Sequence, residues 1–478
     1  MASAAEQMAS NVSWGMLGKA TELRQRLLFT IGLLIVYRIG TYIPVPGIDG
    51  EALREFMEQA AGGIAGVLGM FTGGALSRMG IFALGIMPYI SASIIIQLLA
   101  SMWPPLQQLK KEGEQGRRKI TQYTRYGTVL LATFQAYGLA VSMEAGDLVT
   151  DPGWFFRIST VITLVGGTMF LMWLGEQITA RGVGNGISLI IYVGIVAELP
   201  GALAQFFAQG RSGALSTAVI LGIIVMLLAT LVFVVFMERS LRKVHIQYPR
   251  RQVGMKVYDG GSSHLPIKVN PAGVIPAIFA SSLLLLPTTL STFSGSQTGP
   301  VMSWILAYFG PGQPLYLLFF AGMIMFFTYF YTLNVSFKPD DVAENLKNQN
   351  GFIPGIRPGK KTEEYLEYVV NRLLVLGSAY LALVCLIPEI VRGNLAITAY
   401  FGGTSILIIV SVGMDFVQQV QSHLLAHQYE GLIEKSQLRG KKRGGKSRGT
   451  ARRRTLFCWG HRAPVKEPRP RALWQSVA

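Results

Sequence analysis

Three groups of residues in this 478-residue chain carry types and spacings that chemistry uses. The first is Gly355, Gly359, Lys360, Lys361 and Thr362 within GFIPGIRPGKKT, which looks at first like a phosphate loop. Its spacing excludes nucleotide binding: three residues separate the glycines where a phosphate loop needs four, and no strand precedes them. The Gly and Pro residues instead make a stiff, folded tip that presents Arg357. The second group is His423 and His427, four apart, which lack both an HExxH pattern and nearby Cys and so make no metal centre. No G-x-S-x-G elbow offers a nucleophilic serine, so an intramembrane protease is disfavoured. The third is a basic stretch, 238–270, with seven Lys or Arg. There Arg242, Lys243, Arg250, Arg251 and Lys256 alternate with His245, Tyr248 and Tyr258. That mixture suits contact with a phosphate backbone, and it equally suits a charge cluster that sets membrane orientation.

The elements that must carry these groups are apolar. Half of the residues are hydrophobic, 14% are charged and 54 are Gly, the profile of a polytopic membrane protein. The first 23 residues lack the apolar run of a cleavable signal. Two cysteines, Cys385 and Cys458, argue against a disulfide framework and against a cysteine-rich metal site. The net charge of +17 sits mostly in an appendage: from Arg439 onward there are thirteen Lys or Arg and one acid, Glu467.

Hydropathy predicts ten spans, at about 27–43, 81–100, 126–143, 154–174, 187–207, 216–237, 271–291, 315–336, 371–391 and 400–422. Between the first two lies IAGVLGMFTGGALSR, 64–78, too short to cross and cut by Gly73 and Gly74. A half-helix sheltered by protein or a water-filled cavity suits it. The long basic loops fall on one side, which places both termini in the cytosol. Arg38, near the outer end of the first span, is expected to snorkel to the interface.

The second span, IFALGIMPYISASIIIQLLA, has a proline in its interior, where the usual cost is about 3 kcal/mol. Its pattern returns 188 positions later: Gly85, Pro88, Ile90, Ala92 and Ser93 match Gly273, Pro276, Ile278, Ala280 and Ser281. This points to duplication. Five spans per half force the second half to insert upside down, with a pathway at the interface between halves. A small-solute transporter is one reading. It usually needs coordinating charges at mid-membrane, and the span centres here are bare apart from Arg38. What they carry is isoleucine one helical turn apart, Ile86 with Ile90 and Ile187 with Ile191, a pattern equally at home in an ordinary core.

The runs GGALSRMGIFALGIMPYISASIIIQLL, EQITARGVGNGIS, HLPIKVNPAGVIPAIFASS and GFIPGIRPGKKT resemble the SecY family, the central subunits of bacterial protein-conducting channels. The resemblance extends from about Leu17 to about Gln437. It implies an all-α polytopic membrane protein of ten transmembrane helices in two inverted five-helix halves, with a re-entrant plug half-helix. The implied segments are a cytosolic 1–26, a first half 27–214, a second half 215–422 and a basic cytosolic tail 423–478. By match to family positions, Ile86, Ile90, Ile187, Ile191, Ile278 and Ile408 form a pore ring. The plug takes in Ile64, Met70, Phe71, Gly73, Gly74 and Arg78. A lateral gate opens between the second and seventh spans at Pro88, Ser91, Ser93, Pro276, Ser281 and Ser282. The prolines there are expected to remove backbone donors and loosen packing, while the serines face either the gate or their own backbone. Arg250, Arg251 and Arg357 are implied to dock the ribosome and the SecA motor ATPase.

The same resemblance implies SecE and SecG as small membrane partners, preprotein signal sequences as clients, no cofactor and no enzyme activity of the chain's own. The implied location is the bacterial inner membrane. The chain departs from the family pattern after Lys441, where GKKRGGKSRGTARRR is expected to be disordered. That tail suits anionic lipids or ribosomal RNA, and an incidental extension is equally compatible with it.

Overall fold

The computed structural model describes residues 21–60, 69, 71–146, 148–213, 216–249, 251–253, 256–258, 261–293, 313–395 and 402–446. The chain divides into two compact units, Met1–His423 and Leu424–Ala478. Ile64, Met70, Arg250, Cys458 and the tail beyond Lys446 lie outside the described residues.

Helices dominate. They are α1 (Thr21–Gly40), α2 (Gly50–Ala60), α3 (Met87–Met102), α4 (Pro104–Lys111), α5 (Glu114–Ala145), α6 (Trp154–Arg181), α7 (Gly186–Arg211) and α8 (Thr217–Arg239). After a strand region follow α9 (Ile275–Phe293), α10 (Pro314–Tyr331), α11 (Pro339–Asn348), α12 (Lys360–Leu395) and α13 (Gly403–Lys446). Among the described residues six helices are long and apolar enough to cross a membrane, and the bent pair α3–α4, kinked by 96°, makes a seventh if it counts as one span. The remaining expected spans overlap α1, α5 and α9.

The second span differs from expectation at its start. Residues 79–86 are turns and a bridge rather than helix, and Gly85 holds a left-handed φ of +58°. α3 begins only at Met87, so Pro88 lies in its first turn. An N–H at that position has no partner within the helix anyway, and the ring's fixed φ suits a helix start. The seventh span repeats this arrangement: Gly273 has φ +61° and Pro276 is the second residue of α9. The expectation that these prolines loosen helix interiors is therefore corrected. The shared pattern is a device for starting a helix.

Stretch 238–270, expected as a hydrophilic loop, contains strands. β1 (Leu241–Gln247) pairs antiparallel with β4 (Ser262–Lys268), and β2 (Arg251–Val253) pairs with β3 (Lys256–Tyr258). Alternate residues explain it: Val244, Ile246, Leu265 and Ile267 point to one face and Lys243 and Lys268 to the other, while Arg242, paired with Ile267, is exposed. The apolar face packs on Leu346, Ile353, Leu366, Val370 and Leu374, so this hairpin and the GFIPGIRPGKKT tip share a small core.

Candidate functional site

Four helices bring the six isoleucines together. Ile86 precedes α3 and Ile90 lies in its first turn; Ile191 comes from α7, Ile278 from α9 and Ile408 from α13. These five are buried in one contiguous apolar cluster, and Ile187, partly buried, packs against it. The turn before α7 fixes Ile187. Asn185 caps the helix by accepting from the Ile187 amide at 3.1 Å, and Thr179 Oγ1 accepts from the Gly186 amide at 2.9 Å. A side chain on Gly186 would overlap the Gly175 carbonyl, so the turn closes only with glycine there. None of the six side chains can hydrogen-bond or coordinate an ion. A constriction lined this way dewets when closed and recognises no particular sequence when open.

Phe71 belongs to the same cluster. After Thr72 the helical turn stops, because Gly73 and Gly74 take φ of +65° and +76°. Breaking a helix inside an apolar environment leaves carbonyls that need donors. Tyr37 Oη donates to the Thr72 carbonyl at 3.3 Å, and Arg38 Nη1 donates to the Gly73 carbonyl at 2.6 Å. Arg38 also lies 4.0 Å from Glu198 Oε1 and packs over the Tyr42 ring at 5.2 Å. Arg78 covers the same ring at 4.3 Å. The expected snorkelling of Arg38 is thus corrected: its guanidinium turns onto broken backbone. Tyr37 and Glu198, which sequence reasoning did not select as site residues, join Arg38 beside this broken turn. One signal was available, since each of the first and fifth spans carries a lone charge near its outer end.

On the other side of the cluster α3 packs against α9. Ser281 and Ser282 Oγ both donate to the Ile278 carbonyl, at 2.9 and 2.8 Å, so those two serve their own helix. Ser93 Oγ accepts from Gln97 at 3.0 Å, and Ser91 is buried. At the far end, Lys110 Nζ donates to the Asn334 carbonyl at 3.3 Å, joining α4 to the turn that follows α10. Burial, and then the charge of neighbouring Lys338, hold the Lys110 ammonium below the usual lysine value.

Of the docking candidates, Arg251 is described only as backbone, in β2 opposite Tyr258. Arg357 is exposed on its tip, where the hydroxyl of buried Thr362 donates to the Arg357 carbonyl at 3.0 Å. Phe352 and Gln247 exchange two backbone bonds of 2.9 Å, tying that tip to β1.

Comparison with known proteins then decides the family. The SecY family model matches residues 80–417. The chain belongs to the SecY family. A curated relative, protein translocase subunit SecY of Escherichia coli strain K12, is 53% identical over 430 residues, covering 88% of this chain and 96% of the relative. Two solved structures share the SecY fold. One is a SecY protein described as having a plug domain that stabilises the closed state of the translocation channel and maintains a membrane seal. It has a TM-score of 0.60 and 19% identity, covering 83% of this chain and 92% of the other. The second is Sec61 in the canine ribosome-channel complex from the endoplasmic reticulum, with a TM-score of 0.58, 19% identity and the same coverage.

Proposed function

We propose that this chain is the protein-conducting subunit of a bacterial secretory translocase. It passes unfolded polypeptides across the inner membrane and releases membrane helices sideways into the lipid. The observation that carries this reading is the single apolar cluster that isoleucines from four helices share with Phe71. A charge-free aliphatic constriction fits a cargo of any sequence and offers a small solute nothing to bind. The solute-transporter reading gains no support from the relatives above, which are translocase subunits and channels.

In this reading Ile86, Ile90, Ile187, Ile191, Ile278 and Ile408 seal the pore. The 64–78 segment is the plug, and α3 and α9 flank the lateral gate. Residues 27–214 and 215–422 are the two inverted halves, with both termini in the cytosol. The chain has no catalytic step, so the energy comes from the SecA motor or from translation. SecE and SecG are the membrane partners. The β1–β4 hairpin and the Arg357 tip offer basic groups to SecA and to the ribosome, as Sec61 meets a ribosome in the canine complex. The basic tail adds a contact for anionic lipid or ribosomal RNA.

A preprotein stalled in mid-export tests the proposal. A photo-crosslinker at Ile90, Ile191 or Ile408 is expected to capture the stalled chain, while one at lipid-facing Leu228 does not. Capture at neither the ring nor the gate, with specific uptake of a small solute by liposomes, would overturn it.

A further inference from the structure

The stretch 71–74 is held by two unlike kinds of contact. Phe71 is buried in the apolar cluster, whereas residues 72 and 73 accept hydrogen bonds from α1 and Glu198 of α7 lies beside Gly74. We propose that Tyr37, Arg38 and Glu198 form a polar latch that fastens the 71–74 segment to the first half of the molecule only. Unlatching and lateral parting of α3 from α9 are then separate events. The inference rests on the plug reading above and adds the residues that control it.

Geometry makes the latch one unit. Neighbouring residues of α1, Tyr37 and Arg38, donate to neighbouring carbonyls, those of Thr72 and Gly73. Gly194 and Glu198 are four apart on α7 and so share a face. A side chain at Gly73 would come within 3.0 Å of the Gly194 backbone, and one at Gly74 would overlap the Glu198 carboxylate. Only two glycines in succession let the broken helix end press this closely onto α7. The Glu198 carboxylate, 4.0 Å from Arg38, balances the guanidinium and keeps it turned inward.

The described hydrogen bonds of 72–74 end either on residues 69–77 or on α1. Both α1 and α7 belong to the first half, whereas the α3–α9 contact crosses between halves. Parting α3 from α9 therefore breaks none of these bonds. A guanidinium–carbonyl bond is charge-assisted and strengthens where water is scarce. Apolar cargo that spreads the isoleucines leaves it intact. It yields to water or to a competing carbonyl or carboxylate on the entering chain.

The test uses the full chain, co-reconstituted with its membrane partners in vesicles and read by resting ion leak. Losing a charge-assisted hydrogen bond shifts a closed–open ratio by roughly ten- to a hundredfold. Arg38→Met and Glu198→Gln are each expected to raise leak by at least about tenfold, and Tyr37→Phe by less. Cysteines that lock α3 to α9 should leave the leak of Arg38→Met unchanged, because its cause lies inside the first half. Tyr37→Phe changes one hydroxyl and guards against a general folding defect. Deletion of residues 64–74 separates the two levels of the argument. Leak from the deletion with none from the latch variants overturns the latch and keeps the plug. No leak from the deletion overturns both. Leak that disappears when α3 and α9 are locked overturns the separation of the two events.

Discussion

Gly85 and Gly273, 188 residues apart, hold the same left-handed backbone, φ +58° and +61°, three residues before a proline that opens a helix. Their surroundings differ. A methyl on Gly85 would come within 3.0 Å of Thr72 Cγ2, whereas nothing lies within 4 Å of the same position on Gly273. Replacing Gly273 with Ala is therefore expected to cost only the conformational strain, about 1–2 kcal/mol. Gly85→Ala carries that strain and also pushes on Thr72, whose carbonyl accepts from Tyr37. It should lower thermal stability in detergent further than Gly273→Ala and should also raise ion leak. Equal melting losses and no difference in leak would contradict this.

The positions of Pro88 and Pro276 make an opposite forecast to the one hydropathy suggests. A proline in a helix interior costs about 3 kcal/mol, so its removal would stabilise the protein by that amount. In a first turn it breaks no bond, and its replacement loses the entropy it removed from the unfolded chain, about 0.4–1 kcal/mol, together with the packing of a buried ring. Pro88→Ala and Pro276→Ala are thus expected to melt below the temperature of the unaltered protein. A clear rise in melting temperature would show that the helices start earlier.

Most spans were legible because a long uncharged run has few other uses in a chain this apolar. The internal repeat was legible too, as identities at fixed spacing. Its meaning was not: residues 81–84 are as apolar as the helix after them, and hydropathy cannot tell a buried turn from a buried helix. The β1–β4 hairpin left a weak period-two signal in Val244, Ile246, Leu265 and Ile267, overshadowed by the charges between them. The Arg38 contact left only two lone charges, Arg38 and Glu198, with nothing to pair them, since residues 38, 73 and 198 meet only in three dimensions. Taken alone, an arginine near a span end is expected to reach for water.

Lys110 on α4 reaches the Asn334 carbonyl, in the turn after α10, through one bond of 3.3 Å from a largely exposed side chain. A single exposed bond contributes little, about 0.5–1.5 kcal/mol. Lys110→Ala should leave folding intact and ease parting of the halves, slowing disulfide formation across α3–α9 by less than about tenfold. Lys338 sits close enough to disfavour the Lys110 charge. Lys338→Gln should therefore strengthen the strap and act in the opposite direction. Equal and parallel effects of the two substitutions would rule the strap out.

The Arg357 tip separates presentation of a charge from the charge itself. Gly355 and Gly359 take φ of +84° and +101°, and buried Thr362 ties its hydroxyl to the Arg357 carbonyl. Ile353 and Ile356 anchor the same tip in the core beneath β1. Arg357→Glu is expected to spare membrane insertion of the channel and stop motor-driven export, because a like-charged or unpaired contact replaces an attractive one. Thr362→Val keeps the arginine but frees the carbonyl it stands on. That loss, about 0.5–1.5 kcal/mol for a part-buried bond, loosens the tip without altering its charge. Export by Thr362→Val should fall several-fold and recover with excess motor protein, whereas Arg357→Glu should not recover. Recovery of both would reduce the arginine to one contact among many, and recovery of neither would place the whole tip, rather than its charge, at the docking surface.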